Sequence, residues 1–291
     1  MLPNRKFAKQ PKSFWAEVKL ISMGLGYSSD ETIKKHKIDK IVEYFKDKSL
    51  GTVHLVDSIG KTTKIGKLLV SYFKFRAESL ENFAKPNLMD RDEAKKIFEK
   101  LQDSFKSTVS IPYNKQKGEK RHFAYLTGII NLLTEKNLRG LNFDSDPRQL
   151  IVITNNKRPL KILSRRVDGT YPSTTNPYAL WEIKEYYGTK TFGSRVADGV
   201  YETLLDGHEL EELKMAEKID IKHYLIIDDY FTWWKLGKSY LCRIIDMLHE
   251  GYLDEVIFGK EALDRWPEIV KSWPKEFTKT TISDRERLLQ A

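Results

Sequence analysis

The sequence predicts an α/β protein in which a mixed β-sheet is flanked by helices and preceded by a mostly helical N-terminal region. Up to about residue 140, apolar residues recur at three-to-four spacing, as in "KIGKLLVSYFKFRAESLENFA" (64–84). This is the period of an amphipathic helix. From residue 148 onward, short β-rich runs alternate with helical segments. That alternation is typical of helices packed against a sheet.

The N-terminal helices are bounded by ordinary capping and stop signals. "SFWAEVKLISMGLGY" (13–27) ends in glycines, and "SSDETIKKHKIDKIVEYFKDKSLG" (28–51) opens with Ser and Asp and closes at Gly51. Two further amphipathic stretches, "DRDEAKKIFEKLQDSFKS" (90–107) and "FAYLTGIINLLTEKNL" (123–138), enclose a basic, polar break. These signals predict a helical region before the first strand.

The C-terminal half reads as β-β-β-α-β-α-β-α. "QLIVITNN" (149–156) and "PLKILSRRVDG" (159–169) predict a hairpin, and "YALWEIKEYYG" (178–188) predicts a third strand. A helix is expected over 193–218, although Gly199 and Gly207 weaken it, and "KHYLIIDD" (222–229) and "LDEVIFG" (253–259) predict later strands. We expect a domain boundary near residue 145, which gives a basic helical region at 1–145 and a sheet-containing core at 146–291.

Composition predicts a soluble globular protein. Of its 291 residues, 40% are apolar and 31% are charged. No apolar run approaches the ~20 residues needed to span a bilayer, so no membrane association is expected. The single cysteine, Cys242, excludes an internal disulfide framework and a multi-cysteine zinc site. We therefore expect a cytoplasmic protein.

Positive charge is concentrated in the first half of the chain. Residues 1–150 carry 29 Lys and Arg against 18 Asp and Glu, a net of +11, whereas residues 151–291 carry 21 against 23. Basic side chains that neutralise phosphates release condensed counterions, which favours binding to a polyanion. The charge indicates a nucleic-acid partner, although solubility alone also explains it.

Two charged side chains interrupt the apolar strand candidate at 178–188. Because side chains alternate across a strand, Glu182 and Lys184 share one face, and Trp181 and Ile183 share the other. An unpaired buried carboxylate or ammonium group is costly, so this pair is expected to face a metal, a partner charge or a ligand. The alternative is an exposed strand face on which Glu182 and Lys184 form a cross-strand salt bridge.

A second carboxylate is expected at the same end of the sheet. Asp168 ends the preceding strand candidate before a turn-permitting Gly169, and the polar loop "TYPSTTNP" (170–177) is long enough to bring Asp168 and Glu182 together. Two carboxylates and a backbone carbonyl are the hard oxygen ligands that Mg²⁺ takes. A neighbouring lysine orients an attacking water and stabilises charge on a phosphate, so the combination indicates phosphodiester hydrolysis.

These residues resemble the PD-(D/E)xK nuclease superfamily, the fold of most type II restriction endonucleases. The resemblance covers about residues 148–258, through "VDG", "WEIK", the following helix and "HYLIIDD". It implies a restriction-endonuclease-like sheet in which Asp168 and Glu182 bind a metal ion with the Ile183 carbonyl, and Lys184 is the catalytic lysine. Val167 stands where the family name has proline. Outside this segment no resemblance is identified.

The same resemblance implies a function. It predicts a Mg²⁺-dependent endonuclease, with Mn²⁺ able to replace Mg²⁺, that cleaves double-stranded DNA as a sequence-specific type II restriction enzyme. Cutting both strands favours a homodimer. The alternatives are a non-restriction nuclease of the same fold, acting in repair, phage defence or a mobile element, and a nucleic-acid-binding protein that does not cleave.

Further basic residues are candidates for nucleic-acid contact. The segment "YNKQKGEKRHF" (113–123) combines aromatic and basic residues, and "TKTFGSR" (189–195) lies just beyond the predicted site. A solvated surface is the competing interpretation for both. On the following helix, Asp198 and Glu202 are four residues apart and either face the metal centre or form a solvated helix face, and the solvated face is the favoured interpretation. A second Glu-x-Lys, Glu212 to Lys214, is assigned to a solvated helix face. The predicted contacts are Lys115, Lys117, Lys120, Arg121, Lys190, Ser194 and Arg195.

Overall fold

The computed structural model describes residues 1–114, 121–188 and 193–290, with side chains described up to residue 279. The N-terminal region is helical, as predicted. Its helices are α1 (Lys12–Leu25), α2 (Ile38–Asp47), α3 (Lys64–Ser79), the single turn α4 (Lys85–Asn87), α5 (Arg91–Ser104) and α6 (Tyr125–Leu138). A π-helical turn, Leu80–Ala84, joins α3 to α4.

The second half of the chain alternates strands and helices. Its strands are β1 (Val152–Asn155), β2 (Arg158–Ile162), β3 (Gly169–Tyr171), β4 (Ala179–Glu185), β5 (Lys222–Asp228) and β6 (Glu255–Phe258). Its helices are α7 (Ser194–Glu217), α8 (Lys238–Glu250) and α9 (Ala262–Gln290). The predicted class, a mixed α/β protein with a helical N-terminal region, is therefore confirmed.

The main sheet has the strand order β3-β4-β5-β6. Strand β3 is antiparallel to β4, whereas β4, β5 and β6 are parallel to one another. Strands β1 and β2 form a separate antiparallel hairpin, as the sequence predicted. The parallel strands are connected through α7 and α8, because parallel neighbours need a crossover element.

Helices cover both faces of the main sheet. On one face, Trp181 and Ile183 pack in a core with α6 and α9. On the other face, Leu180 packs with Leu210 of α7, and Leu225 packs in a cluster that includes α8. The side-chain alternation predicted for β4 therefore holds, and Glu182 and Lys184 lie on the face that α7 covers.

Three sequence predictions about the strands need correction. The predicted strand 159–169 is two elements, because β2 ends at Ile162 and β3 begins at Gly169. Asp168 therefore precedes a strand instead of ending one. Gly169 is an extended residue within β3 and not a turn residue, and a Cβ there would lie 2.0 Å from the Trp181 ring.

Glycines that weakened the prediction of α7 have a packing role. The helix is continuous from Ser194 to Glu217. A Cβ on Gly199 would lie 2.5 Å from the Tyr186 hydroxyl, and one on Gly207 would lie 2.6 Å from the Cβ of Tyr252. The two glycines therefore allow α7 to approach its neighbours closely, which outweighs their lower helix propensity.

The N-terminal helices have their own core but are joined to the rest of the chain. Phe14, Trp15 and Tyr72 belong to a cluster formed by α1, α2 and α3. The fully buried Arg76 of α3 lies 3.0 Å from the carboxylate of Asp246 on α8. Helix α6 shares a core with β4 and α9. The domain boundary predicted near residue 145 stays a prediction. Residue 145 lies between α6 and β3, and both of these elements contribute to the core around Trp181.

Candidate active site

The pairing of β3 with β4 brings Asp168 beside Glu182. Gly169 lies opposite Trp181, so the next pair along the antiparallel register is Asp168 and Glu182. The Asp168 backbone N–H donates to the Trp181 carbonyl at 3.1 Å. The Ile183 N–H donates to Oδ2 of Asp168 at 2.7 Å, which fixes the carboxylate at the strand edge. The loop from 172 to 178 therefore closes as the sequence predicted.

Glu182 and Lys184 form a buried pair on the face of β4 that α7 covers. Glu182 is 0% exposed and Lys184 is 8% exposed. The ammonium Nζ of Lys184 lies 2.8 Å from Oε2 of Glu182. The pair is therefore not the salt bridge of an exposed strand face. The structure places all three residues of the predicted catalytic set in one small region.

Arg165 also belongs to this region, although it was not among the residues predicted from the sequence. Its guanidinium lies 2.9 Å from Oε1 of Glu182 and also contacts Asp206 of α7. It lies 3.3 Å from Oε2 of Glu202. The only available signals were the basic pair before "VDG" and the four-residue spacing of Glu202 and Asp206, which places both on one face of α7.

Glu202 is exposed, as a solvated helix face requires, but it also contacts the site. Its Oε2 accepts a hydrogen bond from Nζ of Lys184 at 3.1 Å, in addition to its contact with Arg165. Asp198, one turn earlier, is exposed as expected. Helix α7 therefore contributes carboxylates to the site.

The site carries an excess of negative charge. Asp168, Glu182, Glu202 and Asp206 provide four carboxyl groups against the two cations Arg165 and Lys184, a formal charge of −2 when all are ionised. Burial and the charge of Glu182 raise the pKa of Asp168 to about 6 and the pKa of Asp206 to about 7. Burial is the larger cause of both shifts, and the nearby charges of Lys184 and Arg165 only partly oppose it.

The central pair remains ionised. Burial alone would raise the pKa of Glu182, but the charges of Lys184 and Arg165 outweigh it and lower that pKa. Burial alone would lower the pKa of Lys184, but the charges of Glu182 and Asp168 outweigh it and raise that pKa. Lys184 therefore stays an ammonium group at neutral pH.

The donor set fits a hard divalent cation. Asp168 and Glu182 offer carboxylate oxygens. Backbone groups two residues apart on a strand point the same way, so the Ile183 carbonyl faces β3 as the Trp181 carbonyl does. Oε1 of Glu182 is buried 2.9 Å from the Arg165 guanidinium, in an ion-pair contact that lacks hydrogen-bond geometry. Among the described residues, no three His, Cys, Asp or Glu side chains form a ready metal-binding group. A metal would therefore rely on two carboxylates, a carbonyl and outer ligands.

The other predicted contact residues are distributed around the site or elsewhere. Ser194 and Arg195 are exposed in the first turn of α7. Arg121 is exposed and stacks on the Tyr113 ring, with 4.6 Å between the guanidinium carbon and the ring centroid. Four predicted contacts lie outside the described residues: Lys115, Lys117, Lys120 and Lys190.

The second Glu-x-Lys has no part in the site. Glu212 pairs with Lys161, and Lys214 lies 2.6 Å from Asp220, with both α7 side chains well exposed. The solvated-face assignment holds for this segment. It also gives a matched control for Glu182 and Lys184.

The fold and this site define a mixed α/β protein with a buried cluster of acids and bases on one sheet face. Residues 89–273 match a family described as a domain of unknown function (DUF7687), and residues 1–83 match a second domain of unknown function (DUF7690). The chain belongs to the DUF7687 family. No curated protein and no solved structure matches the chain. Within the described residues, no helix is long and apolar enough to cross a membrane.

Proposed function

We propose that this chain is a Mg²⁺-dependent endonuclease of the restriction-endonuclease-like fold that hydrolyses DNA phosphodiester bonds. The observation that carries the proposal is the convergence of Asp168, Glu182 and Lys184 at the junction of β3 and β4. In the PD-(D/E)xK superfamily, an Asp and a Glu-x-Lys occupy adjacent strands of a mixed sheet flanked by helices. The sheet order and the helices on both faces agree with that arrangement.

The chemistry assigned to the metal follows from the ligand set. Asp168, Glu182 and the Ile183 carbonyl would hold Mg²⁺, which supplies a charge that activates water and neutralises a phosphate oxygen. Mn²⁺, also a hard cation, is expected to replace it. The formal excess of two negative charges in the site supports a divalent ion as the missing partner.

Lys184 acts as a charged hydrogen-bond donor. Its raised pKa keeps the ammonium group protonated at neutral pH, so it orients the attacking water and stabilises negative charge on the phosphate. The Lys184 ammonium group contacts Oε2 of Glu182 and Oε2 of Glu202. These contacts fix the side chain and leave one N–H for a substrate oxygen.

Arg165 provides a second cation beside the same carboxylates. Its guanidinium bridges Glu182 to α7, and its side chain is 21% exposed. A partly exposed guanidinium next to a metal-binding carboxylate is suited to bind a phosphate in a bidentate manner. We assign it a contact with the scissile phosphate or its neighbour.

The proposal has three further parts. They are double-stranded DNA as the substrate, a homodimeric assembly and a role as a type II restriction enzyme. The net charge of +9 supports a polyanionic substrate. Two active sites related by a two-fold axis match the two strands of a duplex. Repair, phage-defence and mobile-element nucleases share the same chemistry, so the sequence dependence of cleavage distinguishes restriction from these roles.

A nucleic-acid-binding protein that does not cleave is the second candidate. It is favoured by one observation: Glu182, Glu202 and Asp206 all have ion-pair partners in Arg165 and Lys184. Such a network is also compatible with a structural role for the cluster. The two candidates differ in whether the chain hydrolyses DNA.

The test is cleavage of supercoiled plasmid. Mg²⁺ is expected to convert plasmid to nicked and linear forms, and EDTA and Lys184→Ala are expected to abolish the conversion. Discrete fragments support restriction, and a smear supports a non-specific nuclease. DNA binding by wild-type protein without cleavage in Mg²⁺ or Mn²⁺ supports the non-cleaving alternative.

A further inference from the structure

A π-helical segment, Phe231–Leu236, follows β5 and packs against the strand that carries Lys184. The indole N–H of Trp233 donates to the Lys184 carbonyl at 3.4 Å, and the Trp233 ring lies 5.7 Å from the Tyr186 ring. Asp229 begins the segment with φ of 99° and accepts a hydrogen bond from the Thr232 N–H. The segment is therefore fixed to the proposed active site by buried contacts.

Three lysines gather around this segment. The ammonium groups of Lys85 and Lys238 lie 5.1 and 5.6 Å from the centroid of the Trp234 ring. Lys235 lies 6.0 Å from the centroid of the Tyr230 ring. In the part of the chain that the structure describes, no carboxylate lies within the 4.0 Å ion-pair distance of any of the three. Three cations thus meet without a neutralising partner.

Lys238 makes this arrangement unusual, because it is only 5% exposed. Its Nζ donates one hydrogen bond, to the Trp234 carbonyl at 2.7 Å. Burial, Lys235 and Lys85 lower its pKa, and the more distant Asp30 and Glu31 oppose this effect. Buried ammonium groups are ordinarily paired with an anion. Among the described residues, Lys238 therefore has no carboxylate within ion-pair distance, and Asp30 and Glu31 act on it only from beyond 4.0 Å.

An exposed aromatic residue begins the same π-helical segment. Phe231 is 45% exposed at the start of the π-helical segment, although it follows a buried strand. Basic side chains interleaved with an exposed aromatic ring suit a nucleic-acid strand, because phosphates pair with lysines and bases stack on the ring.

We propose that this lysine–tryptophan surface, formed by Lys85, Lys235 and Lys238 around Trp234, binds the backbone phosphates of a nucleic-acid strand, with Phe231 of the same segment as the aromatic contact. The inference rests on the proposed function, because it makes the surface the place where the substrate strand continues beyond the active site. Binding neutralises the three cations, and one base stacks on Phe231. The competing role for the lysines is purely structural, with their aliphatic stems covering Trp234.

The experiment is fluorescence anisotropy with labelled single-stranded and duplex oligonucleotides in EDTA, using the full chain. The variant Lys85→Ala/Lys235→Ala removes two charges but leaves the buried Lys238 in place. The control Lys271→Ala/Lys275→Ala removes two exposed charges from α9. We expect the first variant to weaken binding roughly tenfold and to reduce the slope of log K against log salt by about two, since each lost phosphate contact removes about one.

Phe231→Ala tests the aromatic contact separately. We expect it to weaken single-strand binding roughly tenfold with an unchanged salt slope, because stacking carries no net charge. Circular dichroism and thermal unfolding show whether each variant is folded. A purely structural role predicts lower thermal stability with unchanged nucleic-acid affinity.

Several results would overturn the inference. These are equal affinities and salt slopes for the lysine variant and its control, or no oligonucleotide binding by the wild type. Saturation by inorganic phosphate, followed by tryptophan fluorescence, without oligonucleotide binding would identify a free-phosphate site instead. Because EDTA prevents metal-dependent cleavage, failure of the nuclease proposal does not alter this measurement. If the wild type cleaves DNA but the lysine variant binds oligonucleotides as tightly as the wild type, the proposed surface is refuted and the proposed nuclease function stands.

Discussion

The guanidinium of Arg165 lies 2.9 Å from Oε1 of Glu182, the carboxylate that the sequence assigns to the metal ion. Arg165 also contacts Asp206 and Glu202, and so connects the segment before β3 to helix α7. In this arrangement a guanidinium supplies part of the positive charge that a metal would add. The proposed nuclease therefore has a built-in cation that shares the metal ligand.

Removing that guanidinium should make the protein more dependent on a divalent ion. Arg165→Met leaves Glu182 and Asp206 buried without it, which should lower the free energy of unfolding by about 2–3 kcal/mol in EDTA. Thermal unfolding with and without Mg²⁺ measures this effect. Mg²⁺ should raise the Tm of Arg165→Met more than that of the wild type. The control, Arg158→Met, removes an exposed arginine on β2, and an identical Mg²⁺ response in all three proteins would refute the prediction.

The pH dependence of stability should reverse when Mg²⁺ is added. The pKa values of Asp168 and Asp206 lie at about 6 and about 7 in the folded protein, above the ordinary value of 3.8. A carboxyl with a raised folded-state pKa binds more protons when folded, so metal-free stability falls as pH rises from about 4 to about 7. Mg²⁺ needs the ionised forms and should stabilise the protein at pH 8 but not at pH 5.

Thermal unfolding at the two pH values, with and without Mg²⁺, measures this reversal. Asp168→Asn cannot ionise and should reduce the response to Mg²⁺ at pH 8. Equal stabilisation by Mg²⁺ at pH 5 and pH 8 would be inconsistent with a carboxylate site. Mg²⁺ that stabilises Asp168→Asn as strongly as the wild type would point to a different binding site.

The close approach of β3 to β4 should be sensitive to one methyl group. A Cβ at Gly169 would lie 2.0 Å from the ring of Trp181, so Gly169→Ala must displace the indole or the strand. We expect a loss of about 1–3 kcal/mol in the free energy of unfolding, measured by urea titration. Gly51→Ala is the control, because a Cβ at Gly51 meets nothing within 4 Å. Equal stabilities of the two variants would show that β3 adjusts without strain.

The sequence was sufficient to predict the class of fold and the proximity of Asp168, Glu182 and Lys184. Helical periodicity is a local signal, and it predicted the helices before residue 140. The start predicted at Ser28 was wrong, because Ser28 pairs with Ile33 in a β-bridge and α2 begins only at Ile38. The alternation of β4 correctly placed Glu182 and Lys184 on one face, because the side-chain period of a strand does not depend on its partners. Asp168 was found because an acid followed by glycine stood before a polar loop.

What the sequence could not predict depends on long-range packing. Arg165 joins the site only because β3 pairs with β4 and α7 crosses the same face, and neither relationship leaves a local pattern. The sequence suggested that Gly169 is a turn residue and that Gly199 weakens a helix. In the structure, Gly169 makes room for Trp181 of β4, and Gly199 makes room for Tyr186, the residue after β4 has ended. Lys85 lies 150 residues before Lys235 in the sequence. The lysines around Trp234 therefore meet only in the fold.

The most direct test of the account compares the two Glu-x-Lys segments in Mg²⁺-dependent cleavage of supercoiled plasmid. Glu182→Gln and Lys184→Ala should each reduce the rate by ~10²–10³-fold, whereas Glu212→Gln/Lys214→Ala on the exposed face of α7 should cleave like the wild type. Equal rates for all the variants, or a wild type that leaves DNA intact in both Mg²⁺ and Mn²⁺, would contradict the assignment of Asp168, Glu182 and Lys184 to catalysis.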